Sequence, residues 1–139
     1  MADVSLLRLN LLRAYYLLIA AERAYRVLPT LLGMREPLGP FDGTAYAFWG
    51  ALALLSLLGL RYPLQMLPLL LVHLAYKAIW LLAVALPLWL SGGAFDATMT
   101  AFTWAMALGV VFDLVLIPWR YVADRYVRAP AERWRQRRS

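Results

Sequence analysis

Cysteine is absent from the 139 residues, which excludes a disulfide framework, thiolate chemistry and any cysteine-ligated metal. Histidine occurs once, at His73, and one imidazole cannot by itself build a multi-histidine metal site. Acidic residues are few, 8 against 14 basic ones, so the formal net charge is +6. Most of that excess lies in the last 20 residues. Beside apolar helices, such a tail faces anionic lipid headgroups more naturally than nucleic acid, and no nucleic-acid partner is expected. There is no nucleophile elbow, phosphate-binding loop, metal-ligand motif or pair of carboxylates at helical spacing, and no enzymatic activity is assigned. A cleavable leader is not expected either. Arg8, Asn10 and Arg13 interrupt the first apolar run, and Glu22, Arg23 and Arg26 stand where small residues would precede a cleavage site.

What the sequence has in abundance is apolar length. Hydrophobic residues make up 63%, and the mean hydropathy is +0.63. The longest run, residues 64–90, reads LQMLPLLLVHLAYKAIWLLAVALPLWL and contains only two ionisable side chains, His73 and Lys77. A span of a hydrocarbon core about 30 Å thick needs about 20 such residues. Similar reasoning places spans at about 6–28, 44–61 and 96–118. The expected fold is all-α: a four-helix transmembrane bundle in one domain, followed by a basic tail over 119–139. In that tail Trp119, Val122 and Tyr126 share a face, so an interfacial helix is expected up to Pro130. Arg120, Arg125, Arg128 and Arg133 are its candidate headgroup contacts. The first span is the least obvious, because only 14–21 is free of charge. Its flanking arginines can snorkel to the headgroups.

Turns punctuate these spans. Residues 29–43 hold three prolines and three glycines and read as a loop. Pro63 makes a tight connection between the second and third spans, which should pack as an antiparallel hairpin. Pro68 and Pro87 are expected to bend the third helix near its two ends. Asp96 is a candidate N-cap for the fourth. There Ala97, Ala101, Ala105 and Gly109 recur every four residues, with Asp113 next. Small residues at that spacing form a close-packing face, toward another helix of this chain or toward another protein. With four spans the termini share a side. The arginines at 8, 13 and 61 and the seven of the tail make that side cytoplasmic, in a bacterial inner membrane.

Polar groups inside the spans are costly and need partners. At about 1.5 Å of rise per residue, Glu22 and Lys77 lie at matching depths, roughly 20 Å from the cytoplasmic ends of their helices. His73 lies about 13 Å in, and Asp113 and Arg13 about 7 Å in. These depths pair Glu22 with Lys77, and Asp113 with Arg13 or His73. Glu22 can also be satisfied by Arg26, one turn away. The Glu22–Lys77 pair reads either as an ion pair fixing helix register or as a site for a head group or a proton. His73 reads as a neutral imidazole bonded to a neighbouring helix, or as a ligand to haem or a quinone carbonyl. Tyr76, Trp80 and Trp104 can line a pocket or serve as packing and belt residues. No cofactor is assigned.

The stretch GLRYPLQMLPLLLVHLAYKAIWLLAVALPLW resembles an uncharacterised group of small bacterial four-span membrane proteins, through the text RYP, MLPLL and K-IWLLA. That group carries an acidic residue where His73 stands. In size and helix count the chain also resembles DoxX-like membrane proteins. The resemblance implies a four-helix architecture and no activity. The leading expectation is a non-catalytic accessory or scaffolding subunit, packing against a larger membrane complex or another copy of itself. The alternative is binding or transport of a small hydrophobic ligand, a lipid or a quinone, at the intramembrane polar groups.

Overall fold

The computed structural model describes residues 3–132, and no strand occurs among them. Four long helices follow one another: α1 Leu6–Leu31, α2 Pro40–Arg61, α3 Leu67–Leu90 and α4 Ala97–Leu116. Three of them, α2, α3 and α4, are long and apolar enough to cross a membrane. This is therefore a helical membrane protein. Helix α1 is as long but carries Arg8, Arg13, Glu22, Arg23 and Arg26.

Local chemistry sets the ends. The Ser5 hydroxyl accepts from the Arg8 amide at 3.3 Å, capping α1, and Asp96 accepts from the Met99 amide at 2.7 Å, capping α4. Proline shapes the other boundaries differently from the expectation. Helix α1 continues through Pro29 to Leu31, so the loop is shorter than 29–43. Pro40 begins α2 and Pro68 lies in the first turn of α3, where a missing N–H costs nothing. Pro29 lies inside α1 but within its last turn, and Pro87 lies within the long α3. Just before Pro87, residues Leu81–Ala85 widen into a π-helical turn, with the Leu86 amide bonding the Leu81 carbonyl. Widening relieves the clash between the proline ring and the carbonyl four residues back.

Packing follows an antiparallel order. The ring of Tyr16 on α1 lies over Gly59 on α2, where a Cβ would overlap it, and at the other end Val27 and Leu31 meet Gly50. On the facing pair, His73 meets Asp113 at one level and Trp80 meets Phe102 at another. Helices α1 and α4 approach each other chiefly at one end. There Leu12, Tyr15, Tyr16, Ile19, Leu67, Leu70 and Ile117 form the buried apolar core. At that same end the Arg8 guanidinium donates to the carbonyls of Val115, Leu116 and Ile117 at 2.8, 3.3 and 3.1 Å. These are unpaired carbonyls at the negative end of the α4 dipole, where a cation is favoured.

After Pro118 the chain makes one α-helical turn, Trp119–Val122, and then a π-helical turn, Ala123–Arg128. Arg120 and Arg125 are exposed there, and Arg128 pairs with Asp124 at 2.7 Å. Arg133 lies outside the described residues.

Candidate functional site

Among the described residues the most deeply buried charged side chain is Asp113, which is wholly enclosed. An isolated carboxylate there would be strongly disfavoured, so its partners decide whether it can exist. Three side chains supply them. The Tyr15 hydroxyl donates to Oδ1 at 2.8 Å. His73 Nδ1 lies 2.9 Å from Oδ2 and 3.0 Å from Oδ1. Lys77 Nζ lies 3.9 Å from Oδ2 and 3.3 Å from His73 Nδ1. Spacing in the sequence makes this possible, since residues 73 and 77 stand one turn apart on a single face of α3. Gly109 completes it. The lysine side chain runs across that residue, and a Cβ there would overlap the ammonium group.

Proton positions in this cluster are linked. If Nδ1 carries the imidazole proton it donates to Asp113, and it then has no lone pair for Lys77. If the proton is on Nε2, Nδ1 accepts from Lys77 and faces the carboxylate as a second acceptor. That contact is favourable only when the carboxylate itself is protonated. Tyr15, Asp113, His73 and Lys77 thus form a connected path along which one proton can be relocated.

A second polar group lies on the α1 side. Glu22 pairs with Arg26 one turn along, and its other oxygen lies 3.3 Å from Arg23 Nε. Arg23 is buried, donates to the Tyr76 hydroxyl at 2.6 Å and stacks over Trp49 at 5.5 Å. The expected Glu22–Lys77 ion pair is therefore replaced by two separate clusters: Glu22 belongs to its own helix, and Lys77 belongs to Asp113. Of the two partners expected for Asp113 the structure supplies His73. Arg13 instead donates to the Leu60 carbonyl at 3.2 Å and to Asn10 at 2.8 Å.

A cavity of about 850 Å³ connects the two clusters. Lys77, His73 and Tyr15 stand at one end, and Glu22, Arg23, Arg26 and Arg35 at the other. Between them the walls are Ile19, Phe102, Met106 and Phe112, with Trp49 and Tyr46 from α2. Its side follows the seam between α1 and α4, where Leu18, Ala105 and Leu108 are exposed. Volumes of about 300–1,000 Å³, mostly apolar with a few converging polar groups, are typical of small-molecule sites.

The remaining expected residues divide between support and surface. Tyr76 holds Arg23, and Trp80 packs edge-on against Phe102 at 4.9 Å, behind the cavity wall. Trp104 is exposed and borders a separate apolar hollow with Trp89 and Phe95. The small-residue series is split. Gly109 and Ala105 face the cavity, whereas Ala97 and Ala101 are exposed. Four residues that matter here were not singled out as site residues from the sequence: Tyr15, Arg23, Trp49 and Arg35. Tyr15 shares the α1 face of Glu22, which was the available signal. Burial of Arg23 depends on Tyr76 and Trp49 from other helices, and no spacing within α1 reveals it.

Among the described residues no group of three or more His, Asp or Glu side chains is arranged to hold a metal ion. Comparison of the chain with protein-family models, with curated proteins and with solved structures finds no match.

Proposed function

We propose that this chain is a four-span membrane protein that binds a small amphiphilic molecule in the cavity between its helices. The observation that carries this reading is the cavity: apolar in its middle, polar at both ends, and bordered along one side by the α1–α4 seam. In this reading α1 crosses the membrane with α2, α3 and α4, as a four-helix transmembrane bundle. Its charged residues face the cavity, Tyr76 and Trp49, or snorkel at the ends. The membrane is a bacterial inner membrane, and the arginine asymmetry supports cytoplasmic termini. The turns over 119–128 then lie on anionic headgroups through Arg120, Arg125 and Arg128.

The test is retention of a ligand. The full chain purified in a mild detergent should carry a bound amphiphile, visible by native mass spectrometry. Ala105→Trp, which fills the cavity from its open side, should lose it while remaining folded. A wild-type protein and an Ala105→Trp variant with identical, ligand-free masses would count against the reading.

A second reading, an accessory subunit of a larger membrane complex or a homo-oligomer, is favoured by the exposed Ala97 and Ala101 on α4. Small residues there permit close approach of another helix. Absence of cysteine allows Ala97→Cys and Ala101→Cys to be crosslinked without background. Crosslinks to a second membrane protein, or to another copy, would support this reading.

A further inference from the structure

We infer that the cavity selects an anionic amphiphile, a lipid bearing a phosphate head group, with the head held by Arg23, Arg26 and Arg35. This rests on the cavity being a ligand site. It adds the class of ligand and the end at which the head sits.

Charge is the first argument. Three guanidinium groups line one end of the cavity, and Glu22 is the only carboxylate among the described residues lining it. At the opposite end Lys77 is already matched by Asp113. The uncompensated positive charge therefore lies at the arginine end alone. A second argument is the state of Arg23. It is more than nine-tenths buried, lines the cavity, and its Nε–H has no hydrogen-bond acceptor, since Glu22 lies within ion-pair distance but off the donor direction. That nitrogen is itself enclosed, but the single carboxylate beside it, Glu22, is shared with Arg26, so a second anion in the cavity is favoured by the guanidinium charge. The third argument is chemical. A guanidinium presents five N–H donors in a fixed plane and matches the oxygens of phosphate better than an ammonium does. Trp49 beneath Arg23 holds that plane in place. Below the arginines the apolar wall of Ile19, Phe102 and Met106 suits an alkyl chain, not a free hydrated anion. The seam at Leu18 and Leu108 leaves the rest of the chain a lateral exit into lipid.

The experiment uses the full chain in an uncharged detergent and measures thermal unfolding and equilibrium binding. Three probes are compared: a long-chain alkyl phosphate, the alcohol of the same chain length, and inorganic phosphate. The alkyl phosphate should bind and raise the unfolding temperature, with the alcohol about tenfold weaker or worse. Inorganic phosphate alone should bind more weakly still. Arg35→Gln changes an exposed loop residue, so it spares the fold, and it should weaken the alkyl phosphate about tenfold and leave the alcohol unchanged. Arg26→Gln should act in the same direction. Equal binding of phosphate and alcohol, unaltered by either arginine variant, would overturn the head-group assignment and leave the cavity reading intact. Binding of inorganic phosphate as tight as that of the alkyl phosphate would also overturn it, because the apolar wall would then contribute nothing. If neither alkyl probe binds, the ligand site itself fails and the inference falls with it.

Discussion

Removing the charge of Asp113 should destabilise the protein more than removing its lysine partner. Asp113→Asn leaves the Lys77 ammonium buried, with no other carboxylate within ion-pair distance among the described residues. At 3.9 Å and an effective dielectric of about 20, the attraction lost is about 4 kcal/mol. Breaking one side of a buried pair generally costs about 3–5 kcal/mol. Lys77→Met should cost less, about 2–3 kcal/mol, because Tyr15 and His73 still bond the carboxylate at 2.8 and 2.9 Å. The double variant should be about as stable as Lys77→Met alone, since the stranded charge has gone. The coupling in a double-mutant cycle then equals the cost of Asp113→Asn, about 3–5 kcal/mol. Unfolding of the four proteins in detergent, followed by tryptophan fluorescence, gives the cycle. A parallel cycle with Glu22→Gln and Lys77→Met should show a coupling below about 0.5 kcal/mol, because Arg23 and Arg26 hold Glu22. Additive losses in the first cycle, or a large coupling in the second, would refute the pairing described here.

Two further outcomes follow from geometry and charge. Gly59→Ala and Gly109→Ala should each destabilise by about 1–3 kcal/mol, because a Cβ meets the Tyr16 ring or the Lys77 ammonium, whereas Gly43→Ala, inside α2 with only an ordinary contact to Leu38 at 3.9 Å, should be neutral or slightly stabilising by the same unfolding measurement. Single cysteines at Gly39, Ser91 and Ser139 should divide by side: an impermeant reagent applied to intact cells should label the first two and not the third, and labelling at Ser139 would reverse the assigned orientation.

Hydropathy made three of the helices legible, because a continuous apolar run needs no tertiary information to be recognised. Helix boundaries at Pro29 and Pro40 were less so. A proline reads as a break, yet it is accommodated in the last turns of α1 and favoured at the start of α2. In the site, the sequence indicated His73, Lys77 and Asp113 as polar groups needing partners. Counting residues gives depth along a helix and not the direction in which a side chain points. Glu22 and Lys77 were matched in depth, but Glu22 had two arginines on its own helix within reach. The role of Arg23 was hidden for a related reason. Its hydroxyl partner and its aromatic platform come from α3 and α2, more than twenty residues away in the chain.

The clasp between α1 and α4 has a directional consequence. Arg8 on the last α4 carbonyls, together with Tyr15 on Asp113, fastens the seam at the end where the chain begins and α4 finishes. Toward the arginines the seam is bordered by the exposed Leu18, Leu108 and Ala105. An entrance closed at one end and open at the other distinguishes the two leaflets of a bilayer. Under the proposed function and orientation, an amphiphile entering sideways would arrive from the periplasmic leaflet, its headgroup level with Arg23. Its far end then descends toward the Lys77, His73 and Asp113 cluster. Under the proposed function, Arg8 and Tyr15 together would thereby give ligand entry its direction.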